Sequence, residues 1–407
     1  MWLTETTGVQ RRALLAASLG WMLDSMDIML YSMVLSHMMA DLGMSKGTAG
    51  LMASLTLASS AVGGIFFGIL ADRIGRTRAM IATILIYSTF TAACGLSQNV
   101  YQLALFRILL GLGMGGEWAC GAALVAETWP ARHRGKALGI MQSSWAIGYG
   151  LAAAITAMVL PRFGWRAVFF VGIFPALFTL WFRRHVPEPE IWMRSRGERK
   201  THPSLAGLLS LWRSGHRKHL LVTTAANAGT MFAYWGLFTW IPAYLSLPAE
   251  SGGAGLDILR TSTWIILMQG GTWLGYVSFG FVADAVGRVR TYAGYIFTAA
   301  VLVPIYASTQ NPDYLLLIGP LVGFFGSGYF SGFGAITAEI FPTSVRASAQ
   351  GITYNIGRGI SAAAPFLVGV VSGGHGLSYA FMIVALSFFF AGIMALMIPE
   401  TRGRELV

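Results

Sequence analysis

"GILADRIGRTR", Gly68–Arg78, returns 212 residues later as "GFVADAVGRVR", Gly280–Arg290. Gly68, Asp72, Gly75, Arg76 and Arg78 align with Gly280, Asp284, Gly287, Arg288 and Arg290 at that offset. The same offset carries Glu127, Pro130, Arg134 and Gly139 onto Glu339, Pro342, Arg346 and Gly351. It also carries Pro187 and Glu188 onto Pro399 and Glu400. One offset shared by three separated loops marks two structural repeats.

Each copy closes a long apolar block. The 407 residues are 55% hydrophobic and only 11% charged, whereas soluble domains carry about 25% charged residues. The apolar residues come in blocks of roughly 20, each long enough to cross a bilayer as a helix. The blocks are too apolar for barrel strands, so the chain reads as an all-α membrane protein. Twelve spans are expected, near 13–35, 47–71, 79–97, 101–126, 138–160, 167–184, 219–244, 260–284, 291–309, 314–338, 350–372 and 377–398. They divide into two pseudo-symmetric six-helix halves, 1–184 and 219–407, joined by a polar linker over 185–218. Repeats of the same orientation, related by an axis along the membrane normal, imply a central path between them.

The net charge of +11 follows the membrane rather than nucleic acid. With the N-terminus cytoplasmic, 22 of the 28 Lys and Arg fall on the cytoplasmic side. Lys46, Arg162, Arg166 and Arg260 fall outside, and Arg107 and Arg358 lie within spans. This asymmetry is the positive-inside rule, and it places both termini in the cytoplasm. All seven histidines fall in loops or at span ends, and Cys94 and Cys120 lie within spans as packing residues. No metal or cofactor is expected, and a membrane enzyme is disfavoured for the same reason.

"GILADRIGRTR" resembles the signature loop of the major facilitator superfamily, G-x-x-x-D-[RK]-x-G-R-[RK], and the resemblance extends over essentially the whole chain. Thr77 precedes the final Arg78, and the second copy has Ala285 where the first has Arg73. "LDSMD" (Leu23–Asp27) resembles the D-x-x-D of span 1 in aromatic acid:proton and sialate:proton symporters. "GLGMGGEW" (Gly111–Trp118) and "ETWPARHRGKALG" (Glu127–Gly139) are similar to the sialate and monocarboxylate branch. Span 5 lacks the G-x-x-x-G-P of drug:proton antiporters. Span 7 lacks both the Gln-Gln of sugar porters and the His…Gln-Asp of fungal lactate permeases. The resemblance implies a secondary transporter working by alternating access.

The residues have a physical reading beside that name. Gly63 and Gly68 are expected to let spans pack closely. Asp72 ends a helix and faces Arg76 and Arg78 across a turn fixed by Gly75. With Arg73, and with Asp284, Gly287, Arg288 and Arg290 in the second copy, it forms a charge network that can latch one body against another. Glu127, Arg134, Glu339 and Arg346 join it by their repeat. Anchoring of topology is the plainer role for Arg76 and Arg78.

Asp24 and Asp27 are spaced to share a helix face. Asp27 falls about 22 Å from the cytoplasmic end of span 1, roughly 8 Å below the outer surface, and Arg107 falls about 9 Å below it. A carboxylate and a guanidinium at matching depth make a candidate pair. Arg107-Ile-Leu-Leu-Gly111 also resembles the superfamily's span 4 arginine motif, which is associated with proton coupling. Burial favours a neutral carboxyl and a neighbouring guanidinium a charged one, so a change of access can move a proton. Either aspartate can be the carrier, and a permanent ion pair is the alternative. Glu117, deeper in span 4, gates there or caps the packing. Arg358 falls near the midplane of span 11. An intramembrane arginine is a functional hypothesis, and its planar fork suits a carboxylate. An ion pair with Asp24 is its alternative. Gln142, Trp145, Tyr149, Asn227, Tyr234, Trp235, Gln269, Trp273, Tyr354 and Asn355 lie on spans that face the path, where as a set they suit a small, partly apolar solute.

The expectation is a monomeric transporter of the bacterial inner-membrane type, taking up a small organic anion such as a monocarboxylate with protons. Its partners are that solute, protons and the bilayer, with no nucleic acid. A proton-coupled sugar or polyol symporter and a drug:proton antiporter are the other readings.

Overall fold

The computed structural model describes residues 6–190, 193, 217–341 and 343–401, with backbone only at 119, 131, 132, 134, 180, 182–184 and 343–348. Most of the expected linker over 185–218 lies outside the described residues. Among the described residues every membrane-crossing element is helical, and ten stretches are long and apolar enough by themselves to span a bilayer.

The helices are α1 (Gly8–Asp41), α2 (Lys46–Ile74), α3 (Arg76–Cys94), α4 (Val100–Thr128), α5 (Ala131–Val171) and α6 (Phe174–His185). They continue as α7 (Arg217–Phe238), α8 (Ile241–Ser246), α9 (Ile258–Val286), α10 (Arg288–Ala307), α11 (Pro312–Gly328) and α12 (Phe330–Ile340). The last three are α13 (Thr343–Ser361), α14 (Ala364–His375) and α15 (Leu377–Leu396). They make twelve spans because α5 turns a corner at Gly164, φ 76°, and joins α6 in the sixth. Spans 7, 10 and 11 are each broken into two helices, α7–α8, α11–α12 and α13–α14. Two of these breaks carry a proline in the first turn of the new helix, Pro242 and Pro365, where no N–H is needed.

The caps are local. Thr7 and Gln10 exchange side-chain to backbone bonds at the start of α1, a capping box that satisfies two orphan donors. Ser45, Asn99, Asp257 and Asn311 cap α2, α4, α9 and α11. These four caps share the face opposite the Gly75 and Gly287 turns; with the turn-bearing face taken as inner, theirs is the outer one.

The two halves repeat their packing. α2 lies on α4 as α9 lies on α11, and α1 lies on α5 as α7 lies on α13. A Cβ at Gly63 would run into the backbone of Leu112. Gly275 and Phe324, both 212 residues on, repeat that contact. Small residues let membrane helices approach this closely. Gly68 differs from its expected packing role, because a Cβ there would meet nothing within 4 Å. Between the halves, α2 packs on α13 and α14, and α5 packs on α9.

Candidate functional site

The signature loop is built the same way in both halves. Gly75, at φ 113°, and Gly287, at φ 124°, turn the chain into α3 and α10 with a conformation that side chains resist. Neither new helix has a side-chain cap of its own. Glu188 returns from the end of the sixth span and accepts from the N–H groups of Thr77 and Arg78 at 3.2 and 3.1 Å. Glu400 returns from the twelfth and accepts from Arg288, Val289 and Arg290 at 2.8–3.3 Å. A carboxylate at a helix N-terminus meets both the orphan donors and the positive end of the dipole.

Arg76 ties this corner to the neighbouring helices. It bonds Asp72 at 2.5 Å and Glu127 at 2.9 Å. Arg288 bonds Glu339 in the second copy. The copies then diverge: Asp284 is exposed and makes no ion pair among the described residues. Arg73, Arg78 and Arg290 are exposed as well, and of the two arginines expected at Asp72 it is Arg76 that pairs with it. The side chains of Arg134 and Arg346 lie outside the described residues.

Deeper in the membrane, the central groups order themselves by depth. Trp129, just past α4, donates its Nε1–H to the carbonyl of Gln10, which fixes α1 and α4 in register. Asp24 and Asp27 are each 1% exposed, as are Arg107 and Glu117, and Arg358 is 4% exposed. Asp24 lies within electrostatic reach of Glu117 and Arg358. No ion pair joins them within 4 Å among the described residues. Glu117 accepts from the Thr83 hydroxyl at 3.0 Å, and its second oxygen has no partner. That carboxyl presses on α1 where Gly20 leaves room for it.

Asp27 and Arg107 do not pair as their matching depth suggests. Among the described residues neither oxygen of Asp27 has a hydrogen-bond partner, and the Thr91 hydroxyl that faces them donates to the Tyr87 carbonyl at 2.8 Å. Arg107 instead sits 4.1 Å from the centroid of Tyr31, a cation–π contact. Its Nε and Nη1 are unpartnered. Tyr31 is held by a 2.7 Å bond from its hydroxyl to the Ala49 carbonyl. Beside this pair lies a cavity of about 10 Å³ lined by Ile28, Tyr31, Ser32, Leu57, Arg107, Trp235 and Thr239 among others, room for about one water.

The polar and aromatic candidates divide. Trp145 Nε1 donates to the Tyr234 hydroxyl at 2.6 Å, and the Tyr149 hydroxyl to the Phe238 carbonyl at 2.8 Å. Both bonds join the halves. Asn227 donates to the Thr353 carbonyl at 2.9 Å, and Asn355 to the Gly351 carbonyl on its own helix, so both amides serve local structure. Gln269 is buried with its Nε2 unpartnered. Trp273 is 40% exposed on the outer surface of its helix and does not face the path. Residues that sequence reasoning passed over include Tyr31, one turn from Asp27, and Trp118, stacked on Tyr354. Tyr276, beside Gln142, is a third. The aspartate spacing could have pointed to Tyr31; nothing in the sequence joins Trp118 to Tyr354.

The outer seam is closed. Lys46 Nζ donates to the carbonyls of Ser251 and Ser372 at 3.1 and 3.4 Å. Ser246 bonds Ser36 at 3.0 Å, and the Phe366 N–H bonds Ser54 at 3.1 Å.

This architecture has relatives. A protein of Haemophilus influenzae named for metabolite transport is 33% identical over 402 residues, 97% of each chain. The cis,cis-muconate transport protein of Acinetobacter baylyi is 31% identical and covers 95% of this chain and 94% of its own. The inward-open xylose transporter XylE of E. coli has the same fold, with TM-score 0.76, 18% identity and 97% of both chains aligned. The profile of the Major Facilitator Superfamily matches residues 17–278 and 246–406. With the repeated signature loop, the two six-helix halves and these matches together, the chain belongs to the Major Facilitator Superfamily and is a multi-pass membrane transporter, not an enzyme.

Proposed function

We propose that the chain carries a small organic anion into a bacterial cell together with protons, across the inner membrane. In this reading residues 1–184 and 219–407 rock about the central site, both termini face the cytoplasm, and a monomer suffices. The observation that carries it is Arg358. It is buried in the path with no ion-pair partner among the described residues. A guanidinium cannot shed its charge, so the site asks for an anion. Asp24, Asp27 and Glu117 stand along the same path with unpartnered oxygens, as proton carriers require. The relative named for cis,cis-muconate, a carboxylate, supports the class of solute.

Uptake into proteoliposomes with an imposed proton gradient tests this. Organic acids should accumulate when the outside is acidic, and sugars should not. Accumulation of a sugar, or acid uptake indifferent to the gradient, would end the reading.

A further inference from the structure

Trp118, Gln142, Tyr276 and Tyr354 lie on four different spans, two from each half. Counted at 1.5 Å per residue from the inner end of its own helix, each stands about 15–17 Å deep. Trp118 and Tyr354 stack across the halves, with ring centroids 4.3 Å apart and 6° between planes. Trp118 Nε1 donates to Gln142 Oε1 at 3.4 Å, and Gln142 in turn meets the Tyr276 hydroxyl. One level therefore holds a continuous layer that crosses the path.

The layer lies just inward of the charged cluster. Glu117 precedes Trp118 in the chain, and Arg358 stands one helical turn outward of Tyr354. Tyr354 is within electrostatic reach of both Arg358 and Asp24. Resting on the transport reading above, we propose that this layer is the inner gate of the path, opened when Tyr354 leaves the face of Trp118. The outer seam is held by several hydrogen bonds, one from a lysine. The inner layer joins the halves through a ring stack and the contact of an amide with a phenol. A stack of that kind excludes water yet contains no ion pair that must be broken each cycle. The flat faces also meet without interdigitating, so rocking of the halves can slide them apart.

Thiol labelling tests the gate without any solute. In a chain with Cys94→Ala and Cys120→Ala, an Asp24→Cys change sets a reporter just outward of the layer. A charged thiol reagent is applied to the face bearing the Gly75 turn. Labelling should be slow with the layer intact. It should quicken about tenfold in Trp118→Ala and Tyr354→Ala, the upper end of what a lost stack is worth. It should stay slow in Tyr354→Phe, which keeps the ring. If an alanine variant does not fold, Trp118→Leu and Tyr354→Leu replace it. Unchanged labelling in both truncations, or quick labelling in Tyr354→Phe, overturns the gate. If the wild-type chain moves no acid while the reporter chains label as expected, the gate stands and the anion reading falls.

Discussion

Arg107 and Arg358 bury two guanidiniums within spans, and among the described residues neither is neutralised by direct contact with an acid. Their existence was legible in the sequence because a charge within an apolar block is costly enough to stand out. Their partners were not. Depth along a helix follows from counting, but the direction a side chain faces depends on how each helix is rotated. For that reason Arg107 finds Tyr31 where a carboxylate was expected, and Trp273 faces outward where a path contact was expected. Two outcomes follow at this scale. Asp27→Asn should abolish gradient-driven accumulation while leaving exchange of solute across the membrane. Accumulation at the wild-type level would remove Asp27 from the proton route. Arg358→Lys keeps the charge but loses the fork, so acid affinity should fall by about 1.5–3 kcal/mol, the worth of a charged hydrogen bond. Thermal-shift titration with the transported acid reads this. If Arg358→Ala instead destabilises the fold and Asp24→Asn restores it with binding intact, Arg358 is a structural charge.

The helix ends show what a repeat can and cannot reveal. The offset joining Glu188 to Glu400 was visible in the sequence, but their shared task, capping α3 and α10, needed the return of the chain in three dimensions. The loop glycines make the contrast sharper. Gly75→Ala forces a side chain into a left-handed backbone against the Glu188 carboxylate, and should cost about 1–3 kcal/mol of stability. Gly68→Ala enters open space within a helix, and should gain about 0.5–1 kcal/mol. Thermal unfolding in detergent compares the two, and equal destabilisation would contradict this account of the loop. If Gly68→Ala is stable yet transports poorly, the space beside it is filled in another state of the cycle.

For the whole molecule, the twelve spans and the duplication were readable because hydropathy and a fixed offset are properties of the chain alone. Which face of the path is shut was not readable, since the seam is made of contacts between residues more than 200 positions apart. Lys46→Met removes two outer bonds and should favour outward opening by about 1–2 kcal/mol, roughly five- to thirtyfold in state ratio. Labelling of a cysteine at Ser54 from outside checks it, and an unchanged rate would clear Lys46 of that role. The buried charges carry a further consequence, an electrical one. Asp24, Asp27 and Glu117 stand against Arg107 and Arg358, so the empty path balances when one of the three acids holds a proton. Bound substrate upsets that balance by its own valence, and one extra proton per negative charge restores it. Net charge is expensive in the bilayer interior, so turnover should pass no current: a monoanion should cross with one proton and a dianion with two. Labelled-acid uptake into proteoliposomes held at different potassium diffusion potentials would reveal it, as flux that the voltage does not alter.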